Sequence, residues 1–255
     1  MQVNVALNED LTCTYKMSEM SSCSVEGILQ VLIKSNFTTQ APFYLMIRDP
    51  SHHVQTIVED RKCVENLSKD LQYDASESRP DYKFSVSVPK LDEYVPVLKY
   101  KCSSELRPVP MRVQTRVRRE NQYWRVAVQI SSNPHNEDNL TNLTIIMGVP
   151  PAVNGESMVT YPDGGKWNVS KRSVIWCVSE LSRGEKFQLQ ARFEADPSVN
   201  GSDEQPKFPV LVRCECMYSQ LSDIEVEVTD VPDVFATDMK MKLARRFRLS
   251  HRERP

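Results

Sequence analysis

The sequence predicts an all-β protein built from antiparallel β-sandwich layers. Three observations predict it. Apolar and polar residues alternate with a period of two along most of the chain, a helical period is nearly absent, and turn signals separate the alternating stretches. Strands with one apolar and one polar face fit antiparallel sheets, which keep one side in water. Many short strands divided by turns fit a sandwich.

Taken in order, Val3, Val5 and Leu7 share one face while Gln2 and Asn4 take the other. The stretch from about Val58 to Arg79 is polar and charged, which predicts a loop with one short helix near Lys62 to Leu71. Phe84, Val86 and Val88 alternate with Ser85 and Ser87. Met111, Val113, Thr115 and Val117 alternate with Arg112, Gln114, Arg116 and Arg118. Further strands are predicted around Trp124–Ile130, Leu143–Val149, Val174–Val178, Phe187–Phe193, Val210–Cys216, Ile224–Val228 and Met239–Leu243. Pro162-Asp163-Gly164-Gly165 and Ser132-Asn133-Pro134 read as turns. Two breaks stand out. Leu106 to Pro110 carries two prolines, which interrupt any ladder, and Asp196 to Ser202 is polar.

The 255 residues suffice for one large all-β domain or two smaller ones. A net charge of −2 means that any acidic partner must be met by a local patch. Glycine is scarce (7), and no glycine-rich phosphate loop or nucleophile-elbow motif is present, so neither an enzyme nor a cofactor is expected. No apolar run is long enough to span a bilayer, and the first residues lack the features of a signal peptide. The seven scattered cysteines are therefore expected as reduced thiols. Cys214 and Cys216 share a strand face with Val210 and Val212, which predicts buried thiols rather than a metal or redox pair. His52-His53 is expected as a solvated loop pair, since adjacent residues would not converge on one metal. Alternation places Trp124 and Trp176 in the core and leaves Trp167, beside a Gly-Gly turn, open. Six N-x-S/T triplets, beginning at Asn36, Asn66, Asn139, Asn142, Asn168 and Asn200, keep an extracellular adhesion domain as an alternative.

Several stretches, in order, carry a family resemblance. Phe84-Ser85-Val86-Ser87-Val88-Pro89 leads through Asp92-Glu93-Tyr94 to Val97-Leu98-Lys99-Tyr100, with Pro110-Met111-Arg112-Val113 soon after. This resembles the corresponding stretch of mu homology domains in clathrin-adaptor medium subunits. Lys166-Trp167-Asn168 with Val174-Ile175-Trp176-Cys177-Val178 is similar to that family's next strand pair, as are Phe187–Phe193 and Phe208–Val212 to the strands that follow. The opening Val3-Asn4-Val5-Ala6-Leu7-Asn8-Glu9, and the ending Leu221–Val226 with Leu243-Ala244-Arg245-Arg246-Phe247, resemble the muniscin branch.

The resemblance implies an elongated, two-part sandwich. Subdomain A would comprise 1–106 plus 207–255, and subdomain B, 107–206, would be inserted within it. The resemblance also implies an endocytic adaptor, cytoplasmic and peripheral at the plasma membrane and clathrin-coated pits. It would bind scaffold or adaptor proteins, membrane-cargo tails and an acidic phospholipid surface such as phosphoinositide, as part of a larger protein or coat complex. A structural coat subunit without its own cargo site is the other reading within this fold. Residues of the tyrosine-signal pocket are not matched: Val3-Asn4-Val5-Ala6 has no Asp, and the late strand has no Trp. Muniscins carry a membrane-bending helical region and a linker upstream; neither lies within these residues, so an excised domain or a short form is expected.

Two basic strips are the candidate sites for lipid or an acidic partner. One is Lys240, Lys242, Arg245, Arg246 and Arg248, of which Lys240, Lys242, Arg246 and Arg248 would share a strand face. An anionic surface would attract each by roughly 1 kcal/mol; the competing reading is a charged edge strand guarded against aggregation. The second strip is Arg112, Arg116, Arg118 and Arg119, followed by Arg125. No aromatic-basic interleaving points to nucleic acid, which is not expected as a partner.

Overall fold

The computed structural model describes residues 1–16, 19–34, 42–68, 82–103, 109–195, 205–230 and 239–254. These hold strands and no helix. In chain order the strands are β1 (Gln2–Lys16), β2 (Glu19–Lys34), β3 (Phe43–Arg48), β4 (Val54–Glu59), β5 (Val64–Asn66), β6 (Tyr82–Val86), β7 (Val95–Cys102), β8 (Met111–Glu120) and β9 (Tyr123–Ser132). They continue as β10 (Leu140–Gly148), β11 (Val153–Tyr161), β12 (Lys166–Asn168), β13 (Ser173–Leu181), β14 (Lys186–Ala195), β15 (Val210–Met217), β16 (Glu225–Asp230) and β17 (Lys240–Arg254). Most neighbouring strands pair antiparallel, as the alternation predicts, while β17 runs parallel to β1, with the Lys240 N–H donating to the Met1 carbonyl and His251 stacked on Tyr15.

The chain packs as two compact units. One comprises Met1–Asp10, Ser24–Arg107 and Tyr218–Phe247; the other comprises Leu11–Cys23, Pro108–Met217 and Arg248–Pro255. The long strands β1, β2 and β17 give a segment to each.

In the first unit, a four-stranded sheet of order β16-β3-β6-β5 accompanies the run β17-β1-β2-β7-β4. β1 follows strict alternation: Val3, Val5, Leu7 and Glu9 are buried while Gln2, Asn4, Ala6 and Asn8 are partly exposed. Leu29, Phe43, Leu45, Ile47, Phe84 and Leu98 are among the fully buried side chains, each contributing roughly 1.5–3 kcal/mol of apolar burial. Glu9 breaks the apolar pattern, yet it is 1% exposed. Its carboxylate accepts hydrogen bonds from the Tyr100 hydroxyl at 2.7 Å, from the Ser222 backbone N–H at 3.2 Å, and from the Leu221 N–H and the Ser222 hydroxyl. A buried carboxylate is tolerable when donors surround it in this way. Burial and the adjacent carboxylate push the Tyr100 phenol far above its ordinary pKa, so it stays a donor.

The short helix expected near Lys62 to Leu71 is not formed in the part that the structure describes. Residues 61–63 make a turn, and Val64–Asn66 is the edge strand β5, paired with β6. The sheet supplies backbone partners that an isolated, charged segment cannot find in a one-turn helix. Residues 69–71 of that expectation lie outside the described residues. The start of the expected loop is strand as well: Val58 and Glu59 end β4 and pair with Lys99 and Leu98 of β7.

In the second unit, a four-stranded sheet of order β11-β14-β9-β8 accompanies the run β12-β13-β10-β15-β17. β10 lies at the centre of this run, with Ile145 facing Trp176 on β13 and Val212 on β15. Its register with β15 shifts between Thr141 and Thr144, where Asn142 takes a φ of 53° and bulges out. The predicted Pro162–Gly165 turn joins β11 to β12, and Gly164 has a φ of 120°, which only glycine adopts without strain. Cys214 and Cys216 are buried, and burial pushes the Cys214 thiol up to about 12.

Candidate interaction surfaces

β8 is an edge strand: among the described residues its only sheet neighbour is β9. Alternation turns Met111 and Val113 into the core and leaves Arg112, Arg116 and Arg118 exposed together on the opposite face. Apolar burial fades along the strand, since Thr115 and Val117 are only partly covered. Arg119 falls on the other face from Arg116 and Arg118. It stands across from Trp124, its guanidinium 5.5 Å from the indole centroid, and its Nε donates to the Asn121 carbonyl at 3.4 Å. Arg118 is the cross-strand partner of Arg125, whose guanidinium pairs with Glu120 at 3.1 Å. At the edge itself, Gln205 Nε2 donates to the Val117 carbonyl at 2.8 Å. The strip therefore resolves into three open arginines and one that lies against an aromatic ring.

That ring corrects one expectation. Trp124 is half-buried, not in the core: it is the last but one residue at the β9 end of the β8–β9 ladder, where the apolar cover thins. Trp176 is buried as expected.

On β17, Lys240 and Lys242 are exposed, Arg246 is half-buried on the same strand face, and Arg248 beyond it is exposed. Arg245 points to the other face and is exposed, while its carbonyl accepts the Tyr218 N–H at 2.8 Å. From Phe247 onward the odd positions go inward, with Phe247, Leu249 and His251 all buried. In the sheet order β17 lies between β15 and β1, but the Tyr218 N–H just past β15 meets the Arg245 carbonyl, so β15 flanks only the later part of β17. Lys240 and Lys242 precede that part, where β17 ends the run β17-β1-β2-β7-β4 of the first unit, and edge protection stays a reading for them. By the division above, Lys240 to Arg246 belong to the first unit, and Arg248 and the β8 arginines to the second.

A groove that the sequence did not announce lies in the second unit. Its volume is about 370 Å³, and Val153, Gly155, Trp167, Val169, Arg172 and Glu194 line it. Gly155 leaves room for the indole of Trp167, which a side chain there would strike. Arg172 reaches over that ring at 6.0 Å and donates to the Pro150 and Val153 carbonyls at 3.1 and 2.8 Å. Exposed Val169, at 67%, adds an apolar rim. The signal available was Trp167 beside a Gly-Gly turn, which did not separate a core residue from a surface anchor.

His52 and His53 sit in a turn organised by Asp49, whose carboxylate accepts the N–H groups of His53 at 3.1 Å and Val54 at 2.8 Å. His53 Nδ1 lies 3.2 Å from the Ser103 hydroxyl. Among the described residues no cluster of three or more His, Cys, Asp or Glu side chains could hold a metal ion, and no helix is long and apolar enough to cross a membrane. The four described sequon asparagines all make hydrogen bonds: Asn66 with Ser68 and Asn168 with Ser170 and Lys171 locally, Asn139 with Glu180 and Asn142 with Glu215 across strands. Asn36 and Asn200 lie outside the described residues.

Solved structures share this fold at low sequence identity. The zebrafish (Danio rerio) Fcho1 mu homology domain, solved with a bound Eps15 peptide, is 17% identical with a TM-score of 0.70, over 98% of this chain and 96% of that one. The yeast delta-COP-I mu homology domain is 14% identical with a TM-score of 0.66, over 99% and 97%. The same yeast domain complexed with a Dsl1 WxWxV peptide gives 14% and 0.62, over 98% and 95%. No curated protein sequence matches the chain. The family model for the muniscin C-terminal mu homology domain matches residues 1–254, and the chain belongs to that family.

Proposed function

We propose that this chain is an endocytic adaptor module. It binds extended segments of scaffold or cargo proteins and an acidic phospholipid surface during clathrin-mediated endocytosis, and it transforms no substrate. Family membership supports the adaptor role, and two structures of the same fold hold peptides from other proteins, Eps15 on Fcho1 and Dsl1 on delta-COP-I. The observation that carries the reading is β8, a sheet edge with Arg112, Arg116 and Arg118 exposed along one face. An edge strand offers main-chain partners to an extended peptide, and the arginines favour acidic side chains or lipid phosphates beside it. In the first unit, exposed Lys240, Lys242 and Arg245 of β17 with half-buried Arg246 form the second proposed contact, suited to phosphoinositide, and exposed Arg248 adds a cation to the second unit. The module would act in the cytoplasm, at the plasma membrane and coated pits, within a larger assembly.

The test is titration of the chain with acidic scaffold-protein peptides and, separately, with vesicles containing phosphoinositide or only neutral lipid. Saturable binding that weakens as salt rises is expected. If neither the peptides nor the anionic vesicles bind, the reading fails.

A further inference from the structure

Cys13 on β1 and Cys23 on β2 face each other across the antiparallel hairpin, with their Sγ atoms 3.4 Å apart. Both belong to the second unit, and both are free thiols. We propose that this pair is an oxidative modification site, at which a low-molecular-weight disulfide converts the two thiols into a cross-strand disulfide.

The geometry assigns the roles. Cys13 is fully buried among the inward residues of β1, whereas Cys23 is only half-buried at the polar end of β2. An incoming disulfide can reach Cys23 first. At 3.4 Å either sulfur can donate; with Cys13 donating to the more exposed sulfur, the Cys23 thiol is lowered and that of Cys13 raised, which favours the same order. The Cys23 thiolate attacks one sulfur of the oxidant, RSSR, forming a Cys23–SR mixed disulfide and expelling RS⁻. The expelled thiolate takes the Cys13 proton. Cys13 then attacks Cys23 Sγ, closing the protein disulfide and releasing a second thiolate, which is protonated by solvent. The protein loses two electrons and two protons, and the oxidant is reduced to two RSH. Only a shift of Sγ from 3.4 Å to the ~2.05 Å bond length is needed, which side-chain rotation on adjacent strands supplies. The other described cysteines differ in exposure: Cys177 is exposed, and Cys63, Cys102, Cys214 and Cys216 are buried.

The experiment incubates the native chain with oxidised glutathione, blocks the remaining thiols before unfolding, and maps the peptides by mass spectrometry. The expected product is a peptide pair joined through Cys13 and Cys23, lighter by two hydrogens, with a rise in Tm of a few degrees that reductant reverses. Cys13→Ser should instead stop at the glutathione adduct on Cys23, and Cys23→Ser should give neither product in this hairpin. A stable glutathione adduct on Cys23 of the unaltered chain with no cross-link, or reaction at Cys177 alone, would overturn the proposal.

Discussion

Gly27 on β2 stands directly across the ladder from Tyr100 on β7, and the tyrosine ring lies in the space that a side chain at Gly27 would fill. From there the phenol reaches Glu9 on β1, tying β2, β7 and β1 to the segment at Leu221 and Ser222. The missing side chain is thus what lets a buried carboxylate find its donors.

Gly27→Ala should be destabilising by about 1–3 kcal/mol, the usual cost of overpacking a filled site. The added methyl overlaps the Tyr100 ring, and the ring cannot retreat without losing Glu9. Urea unfolding of the two proteins measures it; an unchanged midpoint would show that the ring has free space elsewhere.

Replacing the acceptor tests the same cluster from its other side. Glu9→Ala leaves the Leu221 and Ser222 N–H groups buried without their acceptor and takes one from the Tyr100 hydroxyl, and a loss of about 3 kcal/mol is expected. Tyr100→Phe removes one donor only and should cost about 1–2 kcal/mol. Comparing their denaturation midpoints separates the two.

His251 makes stability depend on pH. Its ring is fully buried, stacks on Tyr15 with centroids 4.4 Å apart, and has no hydrogen-bond partner for either nitrogen among the described residues. Desolvation lowers its pKa from 6.5 to about 4. Between those values the unfolded chain binds the proton and the folded chain does not. This stabilising contribution is therefore complete above the unfolded pKa of 6.5 and is lost as pH falls toward about 4. Near pH 4.5 the loss from this group is roughly 2–3 kcal/mol. His251→Phe should remove that part of the decline, as read by urea midpoints at the two ends of the window.

For the basic strips, charge reversal is the informative change. Arg112, Arg116 and Arg118 replaced together by Glu should weaken sedimentation with phosphoinositide vesicles by more than about tenfold, at roughly 1 kcal/mol per cation. Reversing Lys240, Lys242, Arg246 and Arg248 tests the other strip in the same assay. The circular dichroism spectrum should be retained where the altered residues are exposed. Whichever set leaves binding unaltered is not part of the lipid surface.

Alternation made β9, β10, β13, β14 and β15 legible, because a half-buried strand must repeat every second residue. It faltered on β1, where Glu9 interrupts the apolar face and hides how far the strand runs, and on β2, whose first turn of residues is polar on both faces. β5 was read as helix because three residues carry too little pattern to reveal a strand that exists only by pairing with β6. The exposed arginines of β8 were visible as a row, but Trp124 beneath Arg119 was not, since burial at a ladder's end depends on what covers it.

By itself the sequence determined that the chain is largely antiparallel β, which residues face inward along most strands, and where positive charge accumulates, because each follows from neighbours along one strand. Tertiary structure alone decided which strands pair, that β8 is an edge among the described residues, and that Glu9, Tyr100 and Ser222 meet. Those outcomes depend on pairing between residues far apart in the chain, and a linear pattern carries no term for the partner that lies beside it.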